Sequence, residues 1–148
     1  MGTRSHTHVI ETWGDEETLL CTIYRQMDGY PTGQGEAIAE FLRGLVVVNG
    51  ITLSKNKKKV RRANGGGCLA AQLISHLKDG IGSIYMVKPG EDSDGIDYEY
   101  HVIVKQTNSG GSVIMRCSRG FKDGRVMFEG TAEEFNADDV EAADKKDS

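Results

Sequence analysis

Four side chains in one turn-rich stretch, which follows a predicted strand, carry the chemistry of a nucleotide site. Arg25 offers a planar donor fork that suits phosphate or carboxylate, and Gln26 can pair with the edge of a base. Asp28 can accept a hydrogen bond from a ribose hydroxyl, and Tyr30 can stack on a planar ring. A turn uses the Asp-Gly pair of this stretch but needs none of the other three side chains. The segment therefore indicates a small-molecule site, with a plain connection as the alternative.

Glycines precede both predicted helices of the chain. Gly33 and Gly35 lie before the first helix, and Gly65 and Gly66 lie before the second, directly after a run of six basic residues. The unpaired N–H groups and aligned peptide dipoles at a helix start favour an anion, and glycine lets a ligand approach the backbone. We therefore expect the two helix starts to form a receptacle for phosphate. Ordinary glycine turns and a solvated basic loop are the alternative.

These two features together define a predicted ligand-binding set. Its members are Arg25, Gln26, Asp28, Gly29, Tyr30, Gly33, Gly35, Lys58, Arg61, Gly65 and Gly66. The cations and the glycine N–H groups would hold phosphate, and Tyr30 with Gln26 would hold a base. The chain has neither the GxxxxGK[ST] pattern of a Walker loop nor a GxGxxG dinucleotide fingerprint after a strand. We predict no cofactor.

Two histidines stand out on the first predicted strand. His6 and His8 are two residues apart, so they point to one face with roughly 7 Å between their Cα atoms. Such a pair can bind a metal, with His76 or His101 as a third ligand, or one of them can act as a general base. No carboxylate or cysteine stands at a characteristic distance from them. We therefore predict hydrogen-bonded histidines and no metal site.

Periodicity predicts the elements that position these residues. Residues 3–11 alternate between apolar and polar types, and residues 18–25 are rich in β-branched and aromatic types, which together favour an antiparallel hairpin. Apolar stripes with the helical period follow Gly35 and Gly67. Alternation resumes in the second half of the chain, with glycine-rich turns between the strands. We predict an α+β fold with a largely antiparallel, five- to six-stranded sheet and two main helices packed on one face.

Composition predicts one domain with a tail. Residues 1–132 are expected to form a single α+β domain, and residues 133–148 an acidic, disordered tail. Seven of the 22 acidic residues lie between Glu133 and Asp147, and such tails are usually solvated. The three cysteines form no CxxC pair, which is typical of reduced thiols. Neither a signal peptide nor a membrane span is recognisable, so we predict a cytoplasmic protein.

Two segments near the start of the chain carry a resemblance. The stretches MGTRSHTHVIE and YRQMDGYPTGQGEAIAEFL resemble a family of small uncharacterised phage and metagenomic proteins with an MGTRS start and a YRQxDGYPxGxG segment. The match covers about the first 45 residues, and Gln34 stands where many relatives carry His. The resemblance implies a virus-encoded accessory protein and no particular activity. The functional segment that it implies consists of Arg25, Gln26, Asp28, Gly29, Tyr30, Pro31, Gly33 and Gly35.

The resulting prediction is a small phage-type accessory protein that binds and sequesters a phosphorylated, nucleotide-like molecule, for example a host-defence signal. It would form a homo-oligomer in the cytoplasm of the infected host cell, without a membrane partner. Nucleic acid is not an expected partner, because acidic residues alternate with Tyr98 and Tyr100. One alternative is a small hydrolase or nuclease that uses His6 or His8 with Asp28. Another is a protein–protein inhibitor module that uses the acidic tail.

Overall fold

The computed structural model describes residues 2–50, 60–120 and 123–147. Within these residues, eight strands form one mixed sheet that is strongly curled into a half-barrel, and three helices accompany it. The strands are β1 (Ser5–Trp13), β2 (Glu16–Arg25), β3 (Val46–Val48), β4 (Arg62–Asn64), β5 (Ile84–Val87), β6 (Tyr98–Thr107), β7 (Gly110–Arg119) and β8 (Val126–Gly130). The helices are α1 (Glu36–Leu42), α2 (Gly65–Leu77) and α3 (Ala137–Asp147).

The strand order makes the sheet mixed. The order is β4-β3-β7-β6-β1-β2-β5, and β8 also pairs with β7. β1 lies parallel to β6 at the centre and β3 lies parallel to β4 at one edge, whereas the other pairs are antiparallel. The prediction of a largely antiparallel sheet of five or six strands with two helices is therefore wrong. Alternation along a strand reports its two faces but not the direction of its neighbour, and three-residue strands such as β3 and β4 are too short to show a period.

The two faces of the sheet carry different residues. On one face, here called the helix face, Val9, Ile23 and Val102 are fully buried with Leu69 and Leu73 of α2. The apolar stripes of α1 and α2 thus face a common core. The opposite face, here called the histidine face, carries polar side chains at the centre of the sheet, namely His6, His8, Thr22, Tyr24, Glu99, His101 and Arg116.

The connection from β5 to β6, residues 88–97, crosses the histidine face. β5 is an edge strand and β6 is central, so this connection passes over β2 and β1 on its way. The Gly90 N–H donates to Thr22 Oγ1 at 3.1 Å, and Ser93 Oγ donates to Glu99 Oε1 at 3.1 Å. These bonds fix the connection against the polar centre of the sheet.

The acidic C-terminal segment is a helix that packs on the body of the protein, where we expected a disordered tail. A short 3₁₀ turn, Ala132–Glu134, begins at a Thr131–Glu134 capping box, and α3 follows. Asp144 of α3 is 6% exposed, accepts a hydrogen bond from Tyr98 Oη at 3.1 Å, and pairs with Arg125 at 2.7 Å. The buried carboxylate of Asp144, together with the buried apolar residues Phe135, Ala137 and Val140, holds a segment whose composition is otherwise that of a solvated chain.

The helices of the described residues are short. The longest of them, α2, has 13 residues, and a bilayer crossing takes about 20. In the part of the chain that the structure describes, every helix falls short of what a membrane crossing requires.

Candidate functional site

The start of α2 is occupied by the protein's own carboxylate. The Gly66 N–H donates a hydrogen bond of 2.6 Å to Glu11 Oε2, and a Cβ on Gly66 would lie 2.7 Å from the same oxygen. Gly65 has a φ of +79°, which suits glycine at the entry to the helix. The anion predicted for this helix start is therefore supplied by β1 rather than by a ligand.

The glycines before α1 allow close packing of the protein on itself. A Cβ on Gly35 would lie 3.0 Å from Phe135 Cζ and 3.2 Å from Tyr100 Cε1, and one on Gly29 would lie 2.9 Å from Ser5 Cβ. A Cβ on Gly33 would collide with the carbonyl oxygen of Asp28. These positions need glycine because neighbouring protein atoms occupy the space that a ligand would need.

The two helix starts also lie far apart. Gln34, in the turn that leads into α1, donates to Thr7 Oγ1 of β1, whereas Gly66 at the start of α2 donates to Glu11, four residues further along the same strand. Four residues of extended chain span roughly 13 Å. A single phosphate cannot bridge that distance, so the receptacle predicted from the glycines is not formed.

The polar side chains of the predicted segment bond largely to each other. Arg25 donates through Nη1 to Gln34 Oε1 at 3.0 Å and through Nε to the Met27 carbonyl at 2.7 Å. Gln34 is fully buried and donates to Thr7 Oγ1. Tyr30 donates to Asp28 Oδ1 at 3.0 Å, and this hydrogen bond raises the pKa of the Tyr30 hydroxyl.

The remaining predicted positions are dispersed. Gln26 is exposed and donates its N–H to the Ser83 carbonyl. Arg61 donates to the Arg43 carbonyl at 2.7 Å. Lys58 lies outside the described residues. These positions do not converge with Arg25 and Tyr30 on one cavity.

The structure does assemble a polar cluster around the two predicted histidines. Because β1 and β6 run parallel, His6 lies opposite Glu99, and His8 lies opposite His101. His8 Nε2 is 3.1 Å from Glu99 Oε1, and His6 Nδ1 is 4.0 Å from the same oxygen. The rings of His8 and His101 stack with their centroids 4.9 Å apart.

Burial favours the neutral imidazoles of His6 and His101. Desolvation lowers the pKa of His6, with a further contribution from His8. Desolvation is the main cause that lowers the pKa of His101 to about 4, and electrostatic interactions with His8 and Arg116 lower it further. The hydrogen bond from His8 lowers the pKa of Glu99, so this carboxyl is ionised at neutral pH. The cluster thus combines a carboxylate with imidazole nitrogens that carry lone pairs.

A cleft of about 430 Å³ adjoins the cluster on the histidine face. It lies between the first two strands and the β5–β6 connection, and it is lined by Arg4, His6, Tyr24, Val87, Lys88, Glu91, Asp92, Asp94 and Ile96. Among the described residues, no carboxylate lies within ion-pair distance of Arg4 or Lys88. Tyr24 stands between His6 and Tyr85, with ring centroids 6.0 and 6.1 Å away. We call this the histidine-face cleft.

Comparison with known proteins gives no match from which a function could be assigned. No protein family model matches the chain, no curated protein matches it significantly, and no solved structure does so. A function for the protein therefore has to be argued from the cleft and the cluster beside it.

Several residues of this site were not predicted from the sequence. Glu99, Arg4, Lys88 and Tyr24 were missed as site residues, whereas His6 and His8 were considered as a general base. The alternation of β6 already placed Glu99 and His101 on one face. The missing information was that β6 lies beside β1, since these strands are more than 80 residues apart in the sequence.

Proposed function

We propose that the protein binds a phosphorylated, nucleotide-like small molecule in the histidine-face cleft. The observation that carries this proposal is the presence of Arg4 and Lys88 in one cleft with the ring of Tyr24, both without a carboxylate partner in the described part of the chain. A volume of about 430 Å³ falls in the range of small-molecule sites. The ligand class is the one expected from the sequence, but its location is different.

Each part of the cleft matches a part of such a ligand. The guanidinium of Arg4 and the ammonium of Lys88 suit phosphate oxygens, and the Tyr24 ring suits a planar base. The carboxylates of the β5–β6 connection suit ribose hydroxyls, which donate hydrogen bonds. Three of these carboxylates line the cleft, namely Glu91, Asp92 and Asp94, against two cations. This balance favours a ligand with one phosphate over a polyphosphate.

The biological role proposed for this binding is sequestration. The resemblance of the N-terminal segments to phage proteins implies a virus-encoded accessory protein, and within this proposal its ligand is a host signalling nucleotide. A symmetric homo-oligomer belongs to the same proposal, because small binding proteins often complete their sites at subunit interfaces. Light scattering of the purified protein measures that oligomeric state directly.

Calorimetric titration of the untagged protein with a panel of nucleoside monophosphates and inorganic phosphate tests the proposal. We expect a nucleoside monophosphate to bind, and Arg4→Ala and Lys88→Ala each to weaken binding by about tenfold, which corresponds to the loss of one charge-assisted hydrogen bond. Lys105→Ala is the matched control, because Lys105 lies on the same sheet face but outside the cleft. Absence of binding to the wild-type protein, or unchanged affinity in both cleft variants, would refute the proposal.

A second candidate function is hydrolysis of the same ligand class. It is favoured by one observation, the position of the neutral imidazole of His6 in the wall of the cleft. Asp28, the acid considered as its partner, is instead bonded to Tyr30. Chromatography of the nucleotides after incubation with the protein separates the two functions: recovery of intact ligand supports binding alone, and new products support hydrolysis.

A further inference from the structure

We infer that His6, His8 and Glu99 form a binding site for one divalent transition metal ion of the Zn²⁺ type, beside the histidine-face cleft. This inference does not depend on the proposed nucleotide ligand. It rests on the geometry of the donor atoms, on an unpartnered buried nitrogen, and on the hydrogen bonds that orient the donors.

The donor atoms are close enough to share one ion. One ligand atom from each of the three residues lies within 4.8 Å of the other two. The carboxylate oxygen of Glu99 is 3.1 Å from His8 Nε2 and 4.0 Å from His6 Nδ1. A tetrahedral ion with bonds of about 2.0–2.1 Å holds its ligand atoms roughly 3.4 Å apart. Small rotations of the His6 and Glu99 side chains bring the three atoms to that spacing, and the paired strands β1 and β6 hold the backbone in place.

An unpartnered nitrogen in the interior points to a missing ligand. His6 is 2% exposed, and its Nδ1 has no hydrogen-bond partner among the residues that the structure describes. Buried polar atoms in folded proteins are nearly always satisfied, so such an atom requires an explanation. This is the same atom that lies 4.0 Å from the Glu99 carboxylate. A metal ion between them satisfies both.

The hydrogen bonds around the donors resemble those that orient metal ligands. His8 Nδ1 is 2.9 Å from Thr22 Oγ1, which itself accepts a hydrogen bond from the Gly90 N–H. A hydroxyl can either donate to Nδ1 or accept from it. In this structure His8 Nε2–H donates to the ionised Glu99 carboxylate. With a metal ion at Nε2, the imidazole proton lies on Nδ1 instead and donates to Thr22 Oγ1, which is the tautomer that a metal ligand requires. Ser93 Oγ donates to the Glu99 carboxylate and holds it in the same way.

The donor set selects the class of ion. Two imidazoles with one carboxylate suit Zn²⁺ and neighbouring transition metals, whereas Ca²⁺ and Mg²⁺ need more oxygen ligands. His101 stacks on His8 and does not join the three donors. Three protein ligands leave a fourth position for water or a ligand atom. Because His6 also lines the cleft, that position is within reach of a molecule bound there.

The test uses the untagged, full-length protein after removal of metals with a chelator. We expect one equivalent of Zn²⁺ per chain by calorimetry and elemental analysis, and visible absorption bands of a tetrahedral site with Co²⁺. His6→Ala and the nearly isosteric Glu99→Gln should each weaken Zn²⁺ binding by more than about tenfold. His76→Ala is the matched control and should bind as the wild type does, because His76 lies on α2 against Phe41.

Folding is monitored so that a loss of binding can be interpreted. Circular dichroism and thermal unfolding without metal show whether each variant is folded, and Glu99→Gln keeps the hydrogen-bonding shape of the side chain if His6→Ala fails to fold. Added Zn²⁺ should raise the melting temperature of the wild type and of His76→Ala but not that of Glu99→Gln. A wild-type protein that binds no added Zn²⁺, or equal affinity in Glu99→Gln and the wild type, would overturn the inference.

Discussion

Removal of the Glu11 carboxylate should destabilise the protein, because this group supplies the anion at the start of α2. The Gly66 N–H donates to Glu11 Oε2 over 2.6 Å in a partly buried environment, and the dipole of a 13-residue helix points its positive end at the same oxygen. A hydrogen bond to a charged group contributes about 1.5–3 kcal/mol, and a carboxylate at a helix start about 0.3–1 kcal/mol. Because Glu11 keeps some contact with water, we expect Glu11→Ala to lower the free energy of unfolding by about 2 kcal/mol.

Urea denaturation at 25 °C measures this change, and thermal unfolding should show a decrease in melting temperature of about 4–8 °C. Glu17→Ala on the neighbouring strand is the matched control, since Glu17 is exposed and should change stability by less than about 0.5 kcal/mol. Sulfate provides a second measurement, because it can occupy the vacated helix start. Sulfate should therefore stabilise Glu11→Ala more than it stabilises the wild type. If Glu11→Ala and Glu17→Ala proved equally stable, the carboxylate would not be capping the helix and the reasoning would fail.

Three further predictions concern the core, the C-terminal helix and the thiols. Gly35→Ala should destabilise the protein by about 1–3 kcal/mol, because the added Cβ meets the ring of Phe135. Gly67→Ala should stabilise α2 by about 0.5–1 kcal/mol, because no atom of the described residues lies within 4 Å of the added Cβ. Urea denaturation compares the two variants. Asp144→Ala should cost about 2–3 kcal/mol, because it removes the acceptor of the buried Tyr98 hydroxyl and the ion pair with Arg125, while the same change at an exposed acid of α3 should be nearly neutral in the same assay. A thiol reagent at pH 8 should modify exposed Cys68 rapidly and Cys117 only after denaturation, because burial raises the pKa of the Cys117 thiol to about 12; rapid reaction of two or more thiols in the native protein would contradict the buried positions.

Local periodicity predicted much of the secondary structure but little of the sheet. The alternation of β1 and β6, the β-branched and aromatic content of β2 and the apolar stripes of α1 and α2 are local patterns, so they can be recognised in the sequence. The parallel pairing of β1 with β6 is a contact between distant segments, and no periodic pattern in either strand specifies it. The error about the sheet follows from this difference.

Glycine positions show why the predicted site was misplaced. A glycine before a helix allows either a bound anion or a closely packed side chain, and the sequence looks the same in both cases. At Gly66 the neighbour is the carboxylate of Glu11, and at Gly35 it is the ring of Phe135. Both neighbours come from distant parts of the chain, so the role of these glycines could not be decided without the fold.

By itself, the sequence determined which residues of β1 share a face, and therefore that His6 and His8 project together from one strand. It determined equally that Glu99 and His101 share a face of β6. Only the tertiary structure decided that these two faces are the same surface, with His6 opposite Glu99 and the β5–β6 connection laid across them. The physical reason is that side-chain direction depends on local backbone geometry, whereas the neighbour of a strand is selected by burial of the whole helix face against α1 and α2.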